Sequence, residues 1–141
     1  MSIIDAHTGE VRSRIVPNVS GATLRKVMSE QVDMAGSILW TDGWRGYRSF
    51  ANEFLLHESV NHDEGEYVRG TVTTNQAENY FSQLKRSLDG THHHVSVEHL
   101  PRYLAEFDYR YSTRKMDDTA RMERMMGQVG WRRLTYKRVT H

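Results

Sequence analysis

Two stretches in the second half of the chain carry apolar residues at helical spacing, and they limit what the rest can be. Ala77, Tyr80, Phe81, Leu84 and Leu88 recur at three- and four-residue intervals, as do Leu100, Tyr103, Leu104, Phe107 and Tyr111. Such stripes predict amphipathic helices over about 75–88 and 97–111, each with one face that must be covered. What precedes them is short and strand-like. Ile3-Ile4 and the alternating Val11, Ile15 and Val16 flank Asp5-Ala6-His7-Thr8-Gly9, whose Asp and Gly suit a hairpin turn, and Pro17-Asn18 closes the second strand.

Ser20 is placed to cap a helix with Leu24, Val27, Met28 and Val32 on one face, and Gly36 is placed to stop it. Ser37-Ile38-Leu39-Trp40 reads as a buried strand, Trp44 to Ala51 as a short helix, Leu55 to Val60 as another strand, and 61–73 as a loop. Met122, Met125 and Met126 indicate a further helix in which the methionines serve ordinary packing. The order hairpin, helix, strand, helix, strand, helix, helix is that of an α/β fold: one mixed sheet with flanking helices. We expect the main unit over 1–114 and a basic C-terminal tail of the same domain over 115–141.

At 141 residues the chain suffices for one modest core. It has no cysteine, which excludes disulfides and thiolate metal sites. No apolar run is long enough for a membrane span, and the first residues lack the basic-then-apolar pattern of a signal peptide, so the expectation is a cytoplasmic protein without a membrane partner. The formal net charge is only +1, but the charge is unevenly spread. Arg132, Arg133, Lys137 and Arg138 crowd the last twelve residues without an acid, and Lys85-Arg86 forms a second basic cluster. Such clusters neutralise DNA phosphates, or simply form a solvated face.

Candidate chemistry rests on two carboxylates. Asp42 follows a strand, at the end where open α/β sheets place their ligands; as part of Asp42-Gly43 it also reads as a turn residue. Glu78 stands in the first turn of a helix, where it is either a capping-box partner of Asn75 or a metal ligand. Two divalent ions that activate and stabilise the oxygens of a phosphoryl transfer need hard oxygen donors converging from separate elements. Asn75, Glu78, Ser82 and Lys85 fall at i, i+3, i+7 and i+10, one polar stripe beside the apolar one. A carboxylate for metal and an ammonium for phosphate would then share a DNA-facing track. His92-His93-His94 cannot all point at one ion, and no spaced pair completes a zinc set, so a loop-packing or DNA-contacting role is expected there. Trp44, Tyr47 and Tyr67 read as core residues or as base-stacking ones.

Four blocks then carry a resemblance: Thr41-Asp42-Gly43-Trp44-Arg45-Gly46-Tyr47; Val60-Asn61-His62 through Gly65-Glu66-Tyr67-Val68-Arg69-Gly70; Thr74-Asn75-Gln76-Ala77-Glu78 through Phe81-Ser82-Gln83-Leu84-Lys85-Arg86; and Gly90-Thr91-His92-His93-His94-Val95-Ser96 leading to His99-Leu100 and Arg102-Tyr103-Leu104. Together with Arg133-Leu134-Thr135-Tyr136 they resemble, in order and spacing, the ISXO-type group of insertion-sequence DDE transposases. The resemblance implies a ribonuclease H-like fold and a transposase cutting and joining DNA with Mg²⁺ or Mn²⁺. Asp42 and Glu78 would be the second and third acidic residues of its triad, and Lys85, Arg86, Arg45, Arg69 and Asn75 would contact DNA. It also implies DNA as partner and a homo-oligomer, or an assembly with full-length transposase.

One departure accompanies the match. Family members carry their first catalytic Asp in a segment resembling Asp-Glu-Thr-Tyr, which this sequence lacks. Asp5 sits instead in surroundings similar to the family's later hairpin turn. The expectation is therefore a chain that begins within the second strand of the fold, lacks its first strand, exposes a sheet edge and is inactive alone. A non-cutting remnant that binds DNA or full-length transposase as an inhibitor is the reading from another class, and a ribonuclease H-like nuclease unconnected with transposition is the third.

Overall fold

A computed structural model describes residues 1–42, 44–59, 74–90 and 95–129. Arg69, Tyr67, the three consecutive histidines and the basic residues after Gly130 therefore lie outside the described residues, as does Gly43. The chain begins with strands β1 (Ser2–Ile4) and β2 (Val11–Ser13), an antiparallel hairpin in which Ile4 faces Val11 and Ser2 faces Ser13. Its turn is held by Asp5, whose Oδ1 accepts the backbone N–H of His7 and of Thr8, each at 2.8 Å. Those bonds, that from Thr8 first, hold the Asp5 carboxyl below its usual range.

Gly9 completes the turn at φ +73°, with the Arg114 guanidinium directly against it. A Cβ here would force an L residue into the left-handed region. Gly9→Ala is expected to cost about 1–2 kcal/mol, read as a lowered midpoint in urea unfolding; an unchanged midpoint would contradict this account of the turn.

Helix α1 (Gly21–Gln31) starts where expected, with Ser20 Oγ accepting from Thr23 N–H. It stops earlier than Gly36 suggests. Val32 takes an extended backbone, φ −133° and ψ 136°, a conformation that β-branched residues favour, and so ends the helix four residues sooner. Strand β3 (Ile38–Thr41) runs parallel to β4 (Leu56–Ser59), Trp40 opposite Glu58. Between them the expected helix over 44–51 is two single 3₁₀ turns, Arg45–Tyr47 and Ala51–Glu53. Helices α2 (Asn75–Gly90), α3 (Leu100–Ser112, with Pro101 in its first turn) and α4 (Asp118–Val129) follow. No helix among the described residues is long and apolar enough to cross a membrane.

The molecule is α/β, but among the described residues its strands form two separate two-stranded sheets rather than one mixed sheet. The hairpin lies between two apolar clusters. Adjacent residues of a strand point to opposite faces, so Ile3 packs with Leu24, Met28, Leu39, Phe50 and Phe54, while Ile4 packs with Val11, Tyr80 and Tyr111. One side of the hairpin thus faces α1 and β3, the other α2 and α3.

Side chains, not another strand, close the outer edge of β2. Val11 N–H donates to Ser112 Oγ at 2.9 Å and Ser13 N–H to Asp108 Oδ2 at 2.6 Å. These two donors would otherwise be an open ladder. Helix α3 therefore seals the edge of β2 that faces it.

The methionines of α4 also differ from expectation. Met122, Met125 and Met126 are exposed rather than packed. Helical period alone identified the helix but not which way its apolar face turns.

Candidate functional site

Asp42 stands one residue past the C-terminal end of β3. Its exposed carboxylate accepts the backbone N–H of Trp44 at 3.2 Å, so it does fold a local turn. The turn reading and the ligand reading are compatible, because that bond uses Oδ1 and leaves the group at the surface. Below it the strand end is braced. Thr41, buried, shares a hydrogen bond of 3.0 Å with His57 Nε2, and Trp40 Nε1 donates to Glu58 Oε2 at 3.2 Å. Burial lowers the pKa of His57, which favours the neutral ring that pairs with the Thr41 hydroxyl. Tyr47 packs on the first cluster, and burial, followed by the nearby Asp42 charge, raises its phenol pKa. Trp44 is exposed and edge-on to Tyr47, with ring centroids 5.9 Å apart. Core is therefore the right reading for Tyr47 and not for Trp44. Arg45 is exposed in the first 3₁₀ turn, three residues from Asp42.

Glu78 leads the exposed side of α2. Its backbone N–H donates to Thr74 O at 3.0 Å, and the Thr74 hydroxyl donates to its Oε1 at 2.9 Å. Glu78 thus has Thr74, just before the helix, as a local partner. Asn75, Glu78, Ser82 and Lys85 are all exposed, as the angular reading requires, and Arg86 beside them is exposed with Nε donating to Ser82 O at 3.4 Å. An acid in the first turn also suits the positive end of the helix dipole.

The opposite side of α2 fixes how this stripe is presented. Tyr80, two residues after Glu78, is fully buried and edge-on to Phe107 and Tyr111. Its hydroxyl donates to Asp108 Oδ1 at 2.5 Å and lies 2.8 Å from Ser13 Oγ. Ser13 Oγ in turn donates to Asp108 at 2.9 Å. Burial and then the Asp108 hydrogen bond push the Tyr80 phenol well above its ordinary pKa, so it remains a donor. The network joins β2, α2 and α3 and was not singled out by sequence reasoning. A tyrosine and an aspartate on the apolar stripes of two neighbouring helices were the available signal.

The two carboxylates belong to different parts of the molecule. Asp42 closes the strand over the first apolar cluster; Glu78 rides on the helix that anchors the second. Both offer hard oxygen donors of the kind Mg²⁺ or Mn²⁺ takes. Among the described residues, however, no three or more His, Asp or Glu side chains are gathered so as to hold a metal ion. The described donors are fewer than such a site needs.

Comparison with known proteins bears on this arrangement. The profile of a family described as the ISXO2-like transposase domain matches residues 1–112. The chain is 29% identical over 109 residues to "Uncharacterized protein in transposable element ISH50" of Halobacterium salinarum, covering 77% of this chain and 36% of that protein. It is 29% identical over 103 residues to "Uncharacterized transposase-like protein" of Haemophilus influenzae, covering 73% of this chain and 81% of that protein. The chain thus spans about a third of the first relative's length and most of the second's. No solved structure matches it significantly.

Proposed function

Because the chain belongs to the ISXO2-like transposase family, we propose that it supplies two of the carboxylates, Asp42 and Glu78, and a DNA-facing helix to the cleavage and strand-transfer reactions of an insertion-sequence transposase. The observation that carries this reading is the exposed stripe Asn75–Glu78–Ser82–Lys85 on α2, turned outward by a buried anchor on the other side of the same helix. A carboxylate and an ammonium two turns apart on one exposed face can address a metal and a phosphate along one DNA backbone. Asp42 at the end of a parallel strand pair supports a ribonuclease H-like arrangement, as do helices on both sides of the hairpin. Arg45 and Arg86 would add phosphate contacts near the two carboxylates, and Arg69 would be a third. The partners are DNA, a second copy of the chain or a longer transposase. The metal would be Mg²⁺ or Mn²⁺, and family membership is what supports it.

Among the described residues no third oxygen ligand is gathered with Asp42 and Glu78. Asp5, the one tempting substitute, is bound into the hairpin turn by two backbone amides. The chain alone should therefore bind duplex DNA carrying the element's ends without cutting it. The check is to incubate it with that DNA and Mg²⁺ or Mn²⁺ and resolve the strands on a denaturing gel. We expect no nick that depends on Asp42. Metal-dependent nicking that disappears in Asp42→Ala would overturn the claim that two carboxylates do not suffice, and failure to retain the DNA at low salt would overturn the DNA-facing role.

A further inference from the structure

Trp44 is 43% exposed, and a single exposed apolar side chain ordinarily needs no explanation. This ring, however, is held in place. The benzo part of the indole lies over Gly46, in the space a side chain there would take, and a Cβ built on Gly46 would collide with Trp44 Cζ3, Cε3 and Cη2. The indole meets Tyr47 at 83°. From Tyr47 the ring contacts run on to Phe50 and then Phe54, at 6.1 and 6.4 Å between centroids, both buried in the first cluster. The backbone N–H of Trp44 donates to Asp42 Oδ1. An indole is thus anchored to the core through a line of aromatic rings, yet left open to solvent. Its own amide ties it to the carboxylate beyond β3.

We propose that Trp44 is a stacking platform for an unpaired nucleobase on the DNA strand whose phosphate is presented to Asp42. The inference deepens the reading above and rests on it. Three features select this ligand. An indole offers a broad π-face that any base can cover, so the contact requires no particular sequence. Arg45, next in the chain and exposed, sets a cation beside the ring, where the phosphate of a stacked nucleotide needs one. The seat on Gly46 and Tyr47 fixes the ring before the base arrives, so little side-chain freedom is lost on binding. Inside a closed duplex the faces of a base are taken by its neighbours, and the ring therefore selects DNA that is opened, frayed or single-stranded. The hydrogen bond from Trp44 to Asp42 makes the stacked base and the carboxylate neighbours along that strand.

The test uses the whole chain and two labelled duplexes of one sequence, one fully paired and one ending in a short unpaired tail. In fluorescence anisotropy at low salt the parent should bind the tailed duplex more tightly. Trp44→Leu should weaken that complex by roughly 5- to 100-fold, the worth of one base–aromatic stack, and leave the paired duplex nearly unchanged. Trp44→Phe, with a smaller π-face, should keep part of the affinity. Gly46→Ala retains the indole but displaces it, and should also weaken the tailed complex alone. Fluorescent aminopurine placed in the tail should be quenched on binding the parent and not on binding Trp44→Leu, a signature that a merely structural role of the ring would not give. Trp44 is exposed and Gly46 has no positive φ, so the variants should keep the parent's circular dichroism spectrum. Unchanged affinity and quenching in Trp44→Leu, or equal losses on both duplexes, would overturn the stacking role and leave the DNA-facing stripe on α2 standing. A parent chain that retains neither duplex would overturn both.

Discussion

Tyr80→Ala is expected to destabilise the fold by about 3–5 kcal/mol, the usual cost of emptying a buried aromatic site, and so to remove much of the stability of a chain this size. The ring is fully buried and meets Phe81, Phe107 and Tyr111 edge-on, with centroids 5.1–5.5 Å apart. No neighbouring side chain can follow the truncation without giving up those contacts. Tyr80→Phe separates the ring from the hydroxyl. It keeps the packing and removes one donor from Asp108, which still receives Ser13 N–H and Ser13 Oγ–H, so the expected cost is about 1–2 kcal/mol.

Asp108→Ala should behave more like Tyr80→Ala. It strands the Ser13 amide and leaves the Tyr80 hydroxyl with Ser13 Oγ alone, and a buried donor left without an acceptor costs about 1–3 kcal/mol on top of the lost bonds. The pair shares one network, so Tyr80→Phe combined with Asp108→Ala should cost less than the sum of the two. Urea unfolding followed by circular dichroism reads all four. Tyr80→Ala and Tyr80→Phe costing the same, or Asp108→Ala costing under about 1 kcal/mol, far below the stranded-donor range, would remove this network from the account of how α2 is held.

How much of this was legible in the sequence depends on whether a residue's neighbours are local. The hairpin turn, the Ser20 cap and the two amphipathic helices were readable because Asp5, Gly9, Ser20 and the Tyr80–Leu84 and Phe107–Tyr111 spacings act within one or two turns of chain. The exposed stripe from Asn75 to Lys85 was readable for the same reason. Helical geometry fixes relative angles whatever the helix packs against. The failures are tertiary. That Asp108 and Ser112 would seal the edge of β2 follows from how α3 crosses the hairpin, about a hundred positions away in sequence. That Met122, Met125 and Met126 would face outward follows from Arg121 and Arg124 finding Thr113 and Glu10. Periodicity predicts an apolar face without saying where it is directed.

The same division runs through the candidate site. The resemblance picked out Asp42 and Glu78, and local geometry shows how each is held: one by the Trp44 amide, the other by the Thr74 hydroxyl. It did not indicate the bracing pairs Thr41–His57 and Trp40–Glu58, which depend on the register of two strands separated by fourteen residues.

The DNA-facing stripe on α2 is the central claim, and its most direct test is DNA binding by the chain as a function of salt. Lys85 and Arg86 are exposed on this helix, and each phosphate they neutralise contributes about 0.9 to the slope of log affinity against log salt. Removing both with Lys85→Ala and Arg86→Ala should make the slope shallower by roughly 2 and weaken binding on the order of 10- to 100-fold at about 50 mM salt. Arg102→Ala with Arg110→Ala removes the same charge from exposed positions of α3 and serves as the control. Fluorescence anisotropy with labelled duplex should show the large loss and shallower slope in the α2 pair alone. Equal losses in both pairs would mean that net charge is being read, and no loss in the α2 pair would mean that this face of the helix does not meet DNA.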